Sequence, residues 1–296
     1  METVESLKRR INTAEDLHSL VRTMKALAAV NIRQLEHAVE SLGDYRRTIE
    51  LGLRVVLRQR GRGSVKTRTA PQQTLGAIVF GSDQGMCGQL NDQIVAFALQ
   101  HISGLNIPAE RRTALAIGAR AAARLEDAGE RLEATLPVAG SASGITPLVQ
   151  DMLLHVERWH TEQHVDHIVV FYCEHLSRAA YRTQRLDLLP IDRRWLQDLE
   201  QEKWPTHILP IFTMDAERLF SALVRQYLFV SLYRACAESL ASENASRLAA
   251  MRGAERSIGD KIGELTGLFH QQRQMTVTEE LLDIAAGFEA LIEESS

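Results

Sequence analysis

Proline is missing from both ends of this chain: all seven (Pro71, Pro108, Pro137, Pro147, Pro190, Pro205 and Pro210) lie between residues 71 and 210 of 296. Nothing therefore forces a helix to stop in the first 70 or last 86 residues, because proline is what removes the amide donor and clashes with the preceding turn. Aromatics are scarce at 5%, so few bulky anchors are available for a large globular core. Three cysteines, Cys87, Cys173 and Cys236, sit far apart without paired spacing, which excludes a disulfide framework or a zinc knuckle and fits a reducing setting. No uncharged run approaches the 18 or so apolar residues that cross a bilayer, so neither a signal peptide nor direct membrane insertion is expected.

What is present is a helix-rich composition, 45% hydrophobic and 24% charged, long enough for about two folding units. Charge is unevenly spread. Residues 1–70 hold 14 basic against 8 acidic side chains, a net +6, whereas residues 211–296 hold 8 against 13, a net −5. The two ends are thus suited to attract each other or to meet differently charged partners.

Both proline-free ends carry a narrow apolar stripe with steps of three and four. At the front it runs Leu7, Ile11, Ala14, Val21, Ala28, Ile32, Leu35, Val39, Leu42, Ile49, Leu53, Val56, with His18, Lys25 and Arg46 as polar interruptions. At the back it runs Ala237, Ala241, Asn244, Leu248, Met251, Glu255, Ile258, Ile262, Leu265, Phe269. Such stripes are coiled-coil seams, and the two helices are expected to pair with each other. At 1.5 Å per residue they would span about 84 Å and about 115 Å, too much for this chain alone to cover. A solvated antiparallel hairpin is the plainer alternative.

The middle reads as strands alternating with helices. Thr74–Phe80, Thr113–Ile117 and His167–Tyr172 are short buried runs, Arg182–Leu189 could add a further strand, and Leu90–His101, Ala119–Ala128 and Pro147–His160 have helical spacing. The expected organisation is an N-terminal helix (1–58), a basic linker (59–73), a central Rossmann-like parallel α/β domain (74–210) and a C-terminal helix (211–296), the two terminal helices forming an antiparallel coiled coil.

Four features invite chemistry. Gly81–Asn91, GSDQGMCGQLN, follows a strand and precedes a helix, where phosphate loops sit, but Gly81, Gly85 and Gly88 fit neither nucleotide-loop pattern. His155, His160, His164, His167 and His175 crowd one stretch, and His160 and His164 at i, i+4 could share a helix face as zinc ligands do, although the metalloprotease order is absent. A solvated helix end leading into a strand is the preferred reading. Arg54, Arg58, Arg60, Arg62, Lys66 and Arg68 could contact nucleic acid, but no aromatic is interleaved for stacking. Cys87 beside glycine near a helix start reads as a small buried residue. No nucleophile, base and oxyanion site come together.

Four motifs, in order, resemble the gamma subunits of rotary F-type ATP synthases. Leu20–Arg33, LVRTMKALAAVNIR, is similar to the family's K-A-M-x-M-V-A-A-x-K helix at Met24, Ala28, Ala29 and Arg33. The GSDQGMCGQLN loop resembles S-D-x-G-L-C-G-x-x-N, and Ser242–Met251, SENASRLAAM, resembles S-E-x-A-x-R-M-x-A-M. Arg273–Ala290, RQMTVTEELLDIAAGFEA, resembles R-Q-x-x-I-T-x-E-x-x-E-I-x-x-G-A-x-A. Departures fall at Ala26, Asn31, His270, Gln271 and Phe288; they mark a divergent branch, with the alternative sodium-type F-ATPases as one candidate.

The resemblance implies a noncatalytic rotor, the central stalk, with no cofactor, no metal and no nucleic-acid partner. It implies alpha, beta and epsilon subunits and the membrane c-ring as partners, on the cytoplasmic side of the inner membrane. By position it implies rotor contacts at Met24 and Arg247, near an acidic lever segment of the catalytic subunits, and at Arg273, Gln274, Thr278 and Glu280, with Lys25 added by adjacency. The rival readings are a Rossmann-like nucleotide-binding enzyme with a helical dimerisation arm, and a coiled-coil adaptor.

Overall fold

The computed structural model describes residues 3–60, 74–177, 180–202, 204 and 210–293. The basic linker beyond Arg60 lies outside them. The chain divides into two compact units, one comprising Met1–Leu27 with Ala250–Ser296 and the other Ala28–Ala249. Two long helices, α1 (Val4–Arg60) and α6 (Ala216–Glu293), contribute to both.

In the first unit the expected seam is the covered face. Leu7 and Val21 are buried, Ile11, Ala14, His18 and Lys25 are half-buried, and Met251 and Leu265 on α6 are buried. The polar interruptions also meet: Lys25 Nζ bonds the Glu255 carboxylate. That bond, with further charge from His18 and Arg22, holds the Glu255 carboxyl below its ordinary range. A basic first helix and an acidic last helix are thus matched locally.

In the second unit Ala28 and Ile32 pack on Ala245 and Leu248. The helices run in opposite directions, since Asn31 Nδ2 donates to Asn244 Oδ1 at 3.3 Å while Tyr45 Oη donates to Gln226 Oε1 at 2.8 Å. Asn31, a departure from the family pattern, thereby pairs with the polar position already present in the opposite seam.

The remainder of this unit is a doubly wound domain: β1 (Leu75–Phe80), α2 (Leu90–Gly104), β2 (Arg112–Ile117), α3 (Ala119–Asp127), β3 (Leu132–Leu136), α4 (Ile145–Thr161), β4 (His167–Ser177), β5 (Ala180–Leu189) and α5 (Arg193–Gln201). The sheet order is β3-β2-β1-β4-β5. The first four strands are parallel, as expected; β5 is antiparallel to β4 and makes the sheet mixed. Neither β3 nor α5 was anticipated from the sequence.

Period-two alternation sends β1 side chains to both faces, which is why the strand reads as a continuous apolar run. Leu75, Ala77 and Val79 join Ile94, Ala98 and Leu125 of α2 and α3. Ile78 and Phe80 join Val149, Met152 and Trp159 of α4 and Leu232, Cys236 and Leu240 of α6. Gly76 is fixed by this packing: a Cβ there would lie 2.6 Å from the Trp159 ring. The helix α6 is therefore one layer of the α/β domain as well as a partner of α1.

Candidate functional site

In an open doubly wound sheet, ligands bind beyond the carboxyl ends of the strands where the chain switches direction. Here that point lies between β1, which feeds β2 and β3 on one side, and β4 on the other. The GSDQGMCGQLN segment leaves β1 at this point. Ser82 N donates to Asn91 Oδ1 at 2.9 Å, and Asn91 Nδ2 donates back to Ser82 Oγ at 2.8 Å, closing the loop on the first turn of α2. Cys87 is 1% exposed within this network, the small buried residue expected.

Asp83 completes the loop. Its Oδ1 accepts from Ala119 N at 3.0 Å and its Oδ2 from Val138 N at 2.8 Å. The amino end of α3, where helix amides would otherwise attract a phosphate, is thus already met by a carboxylate of the chain. Gly81 leaves no room either, since a Cβ there would lie 2.4 Å from Ala121 Cβ.

The crevice itself is covered by α6. Ser242 Oγ shares its one proton between the Cys173 carbonyl of β4 at 2.9 Å and the Glu238 carbonyl of its own helix at 2.8 Å, and Ser246 Oγ donates to the Cys87 carbonyl in the loop after β1. These two serines, at i and i+4 on one helix face, span the two sides of the switch point. Gly88 is held at φ +59° with its Cα facing Ser246, where a Cβ would lie 3.2 Å from the hydroxyl. Two motifs read separately in the sequence therefore form one joint.

Beside this joint α6 carries an ion pair: an Arg247 Nη donates to Glu243 Oε1 at 2.6 Å, with the side chains 13% and 6% exposed. Burial raises the Glu243 carboxyl, Arg247 opposes the rise and Asp83 adds to it. Of the other expected rotor contacts, Met24 and Lys25 are half-buried and Lys25 is held by Glu255, whereas Arg273, Gln274, Thr278 and Glu280 are exposed. Thr278 Oγ1 donates to its own helix at the Gln274 carbonyl. The side chain of Phe288 lies outside the described residues.

The other sequence features resolve into internal bonds. Arg54 pairs with Glu202, and Arg58 donates to the carbonyls of Glu200 and Glu202 at the end of α5, at 3.2 and 2.6 Å. Arg62, Lys66 and Arg68 lie outside the described residues, as does the side chain of Arg60. His160 and His164 do not share a helix face, because α4 ends at Thr161 and His164 lies beyond it at φ +53°. The solvated helix end leading into β4 is what forms. His155 meets Glu133, His167 meets Asp187 and His175 meets Glu36. Among the described residues no cluster of three or more His, Cys, Asp or Glu is arranged to hold a metal, and no helix is long and apolar enough to cross a membrane. Burial pushes the Cys173 and Cys236 thiols up to about 12, far from the thiolate form that reacts.

Sequence reasoning missed Asp83, Ser242 and Ser246 as a joint, and Glu243 as the partner of Arg247. The available signal was Ser242 and Ser246 one turn apart on α6, off the apolar seam.

These features define a class: an α/β domain whose ligand crevice is given over to holding one member of an antiparallel helical pair. The model of the ATP synthase family matches residues 3–291, and the chain belongs to that family. Its curated relatives include ATP synthase gamma chains of Nostoc punctiforme and Nitrosomonas eutropha, each 25% identical over 98% of this chain and 100% of the relative. Among solved structures, a chain of the Euglena gracilis mitochondrial ATP synthase OSCP/F1/c-ring assembly shares the fold with a TM-score of 0.62 and 16% identity, covering 97% of this chain and 94% of that one. A chain of the Tetrahymena thermophila mitochondrial ATP synthase central stalk and c-ring has a TM-score of 0.55 and 20% identity, covering 79% and 99%.

Proposed function

We propose that this chain is the gamma subunit of a rotary F-type ATP synthase, the central stalk that couples rotation of a membrane c-ring to conformational cycling of the catalytic beta subunits. The observation that carries this reading is the end-to-end match to the ATP synthase family, joined to an unusual surface. Leu281, Leu282 and Ile284 on the last turns of α6 are 61%, 64% and 69% exposed, and Leu17, Leu20 and Leu27 on α1 are also bare. Exposed apolar rows of this kind mark surfaces that another polypeptide covers; here the alpha and beta subunits would do so.

The chain is noncatalytic in this reading, and the self-filled crevice supports it: the domain holds a helix where a doubly wound enzyme would hold its ligand. Epsilon and the c-ring are the further partners, and attachment to the cytoplasmic side of the inner membrane would be through them. An asymmetric rotor touching like subunits at different angles gives each a different conformation. Moving a two-state site from 1:99 to 99:1 takes about 5.5 kcal/mol of differential contact, a demand suited to an extended surface.

The test is assembly. Mixed with catalytic and noncatalytic F1 subunits, the purified chain should yield a defined complex and change the rate of ATP turnover, while hydrolysing no ATP alone. Failure to form a complex together with unchanged turnover would remove the rotor reading.

A further inference from the structure

Arg247 is held in an incomplete pair. One of its terminal nitrogens reaches Glu243 Oε1 at 2.6 Å, yet its Nε and the other Glu243 oxygen are buried with no hydrogen-bond partner. The two groups are one helical turn apart and almost fully covered. The nearby Asp83 cannot complete the set as an easily redirected acceptor, because both of its oxygens hold backbone amides. A guanidinium in this state has donor capacity that the chain leaves unused, and planar Arg forks match a carboxylate with two parallel bonds.

We propose that Glu243 is the positioning residue for Arg247: it keeps the guanidinium folded against α6 until a carboxylate of a partner subunit draws it out, and the Glu243 carboxylate left behind then takes up a proton from the solvent. The inference rests on the rotor reading above, in which Arg247 meets an acidic segment of the catalytic subunits. It adds that the contact is an exchange of partners and that the exchange is linked to pH. The chemistry balances simply. One N–H···O bond to Glu243 is given up, bonds to the incoming carboxylate form, and one proton adds to the stranded oxygen.

The charged groups facing Glu243 are Arg247 from its own helix and Asp83 from the loop after β1. With Arg247 withdrawn only Asp83 remains, and a like charge together with burial favours the neutral acid. Engagement should therefore strengthen as pH falls.

Calorimetric titration of the full chain into its alpha and beta partners, in buffers of differing ionisation enthalpy at pH 6, counts the protons taken up on assembly. The parent chain should take up more protons than E243Q, and E243D should retain that excess. R247A, whose Glu243 is already stranded in the free chain, should lose it. Equal uptake by parent and E243Q, with R247A still weakening assembly, overturns the exchange while leaving the rotor reading in place. Assembly of R247A as tight as the parent's overturns Arg247 as a partner contact, and the exchange with it.

Discussion

Ser246 of α6 donates its hydroxyl to the carbonyl of Cys87, a bond that joins residues 159 positions apart across the mouth of the α/β domain. It ties the helix that pairs with α1 to the loop that leaves β1, so displacement of one loads the other. A domain asked to pass torque into a helix needs such a rigid joint.

Removing the joint should be felt as lost stability. Ser246→Ala removes the shorter of two bonds to the buried Cys87 carbonyl and leaves it only the longer one from Leu90 N at 3.4 Å, a loss of about 0.5–1.5 kcal/mol. Gly88→Ala places a Cβ at φ +59°, 3.2 Å from the same hydroxyl, with a backbone penalty of about 1–2 kcal/mol before any clash. Urea unfolding of the full chain measures both. Midpoints equal to the parent's would mean that α6 is not fastened there.

Occupation of the crevice by the chain itself predicts that equilibrium dialysis with ATP, ADP or NAD finds no stoichiometric binding to the isolated chain. Asp83→Ala should not create a site, because α6 still covers the switch point. It should cost about 2–4 kcal/mol, as two charge-assisted bonds to backbone amides are lost. Stoichiometric nucleotide binding that depends on Gly85 and Gly88 would instead favour the enzyme reading.

The seams show how far sequence can be read. Each of the fifteen front positions, Leu7 to Val56, is buried or half-buried, because a repeat of three and four leaves one narrow face to hide and a single way to hide it. β1, β2 and β4 were legible for a similar reason: strands covered on both faces must be apolar throughout. β3 was not, since LEATL is an edge strand, mostly half-covered, and has no long run to display. The α5 segment has a good N-cap, with Asp192 Oδ1 accepting from Arg194 N at 2.8 Å, but it lies in a proline-interrupted stretch. The joint was hidden because its halves are distant in sequence, and Ser at i and i+4 acquires meaning only when β4 and the loop after β1 lie beneath it.

Acid should weaken the sheet at a definable place. The hydrogen bond from His167, assisted by Arg185, holds the Asp187 carboxyl below its ordinary value despite partial burial. A depressed folded-state value gives stability that is present above the unfolded value near 4 and is lost as pH falls through the lower folded value. Asp187→Asn should therefore flatten the acid limb of a melting-temperature profile between about pH 5 and 2, with little change in its shape at neutral pH. An unchanged acid limb would remove Asp187 from the account.

The Arg247–Glu243 pair affects how any Arg247 variant is interpreted. Arg247→Ala strands a buried carboxylate and should cost about 2–3 kcal/mol by itself. In the double variant R247A/E243Q most of that loss should be recovered, a coupling that a double-mutant cycle by thermal or urea unfolding reads directly. Loss of ATP-to-ion coupling that persists in the double variant can then be assigned to the missing partner contact. Additive stability losses would mean that the two groups do not depend on each other.

The exposed stretch of α6 around Leu281 offers the cleanest separation of folding from assembly. Leu281 and Leu282 are more than half exposed, so changing both to Ser removes little buried area. Exposed substitutions of this kind usually stay within about 0.5 kcal/mol, and urea unfolding of the isolated chain should scarcely move. If a collar of alpha and beta subunits covers these side chains, the same change should weaken assembly at least tenfold, since each buried Leu carries about 1.5–3 kcal/mol of transfer free energy. Assembly affinity and turnover both equal to the parent's would place the collar elsewhere on the chain, because apolar surface of that size cannot be lost from a packed interface without effect.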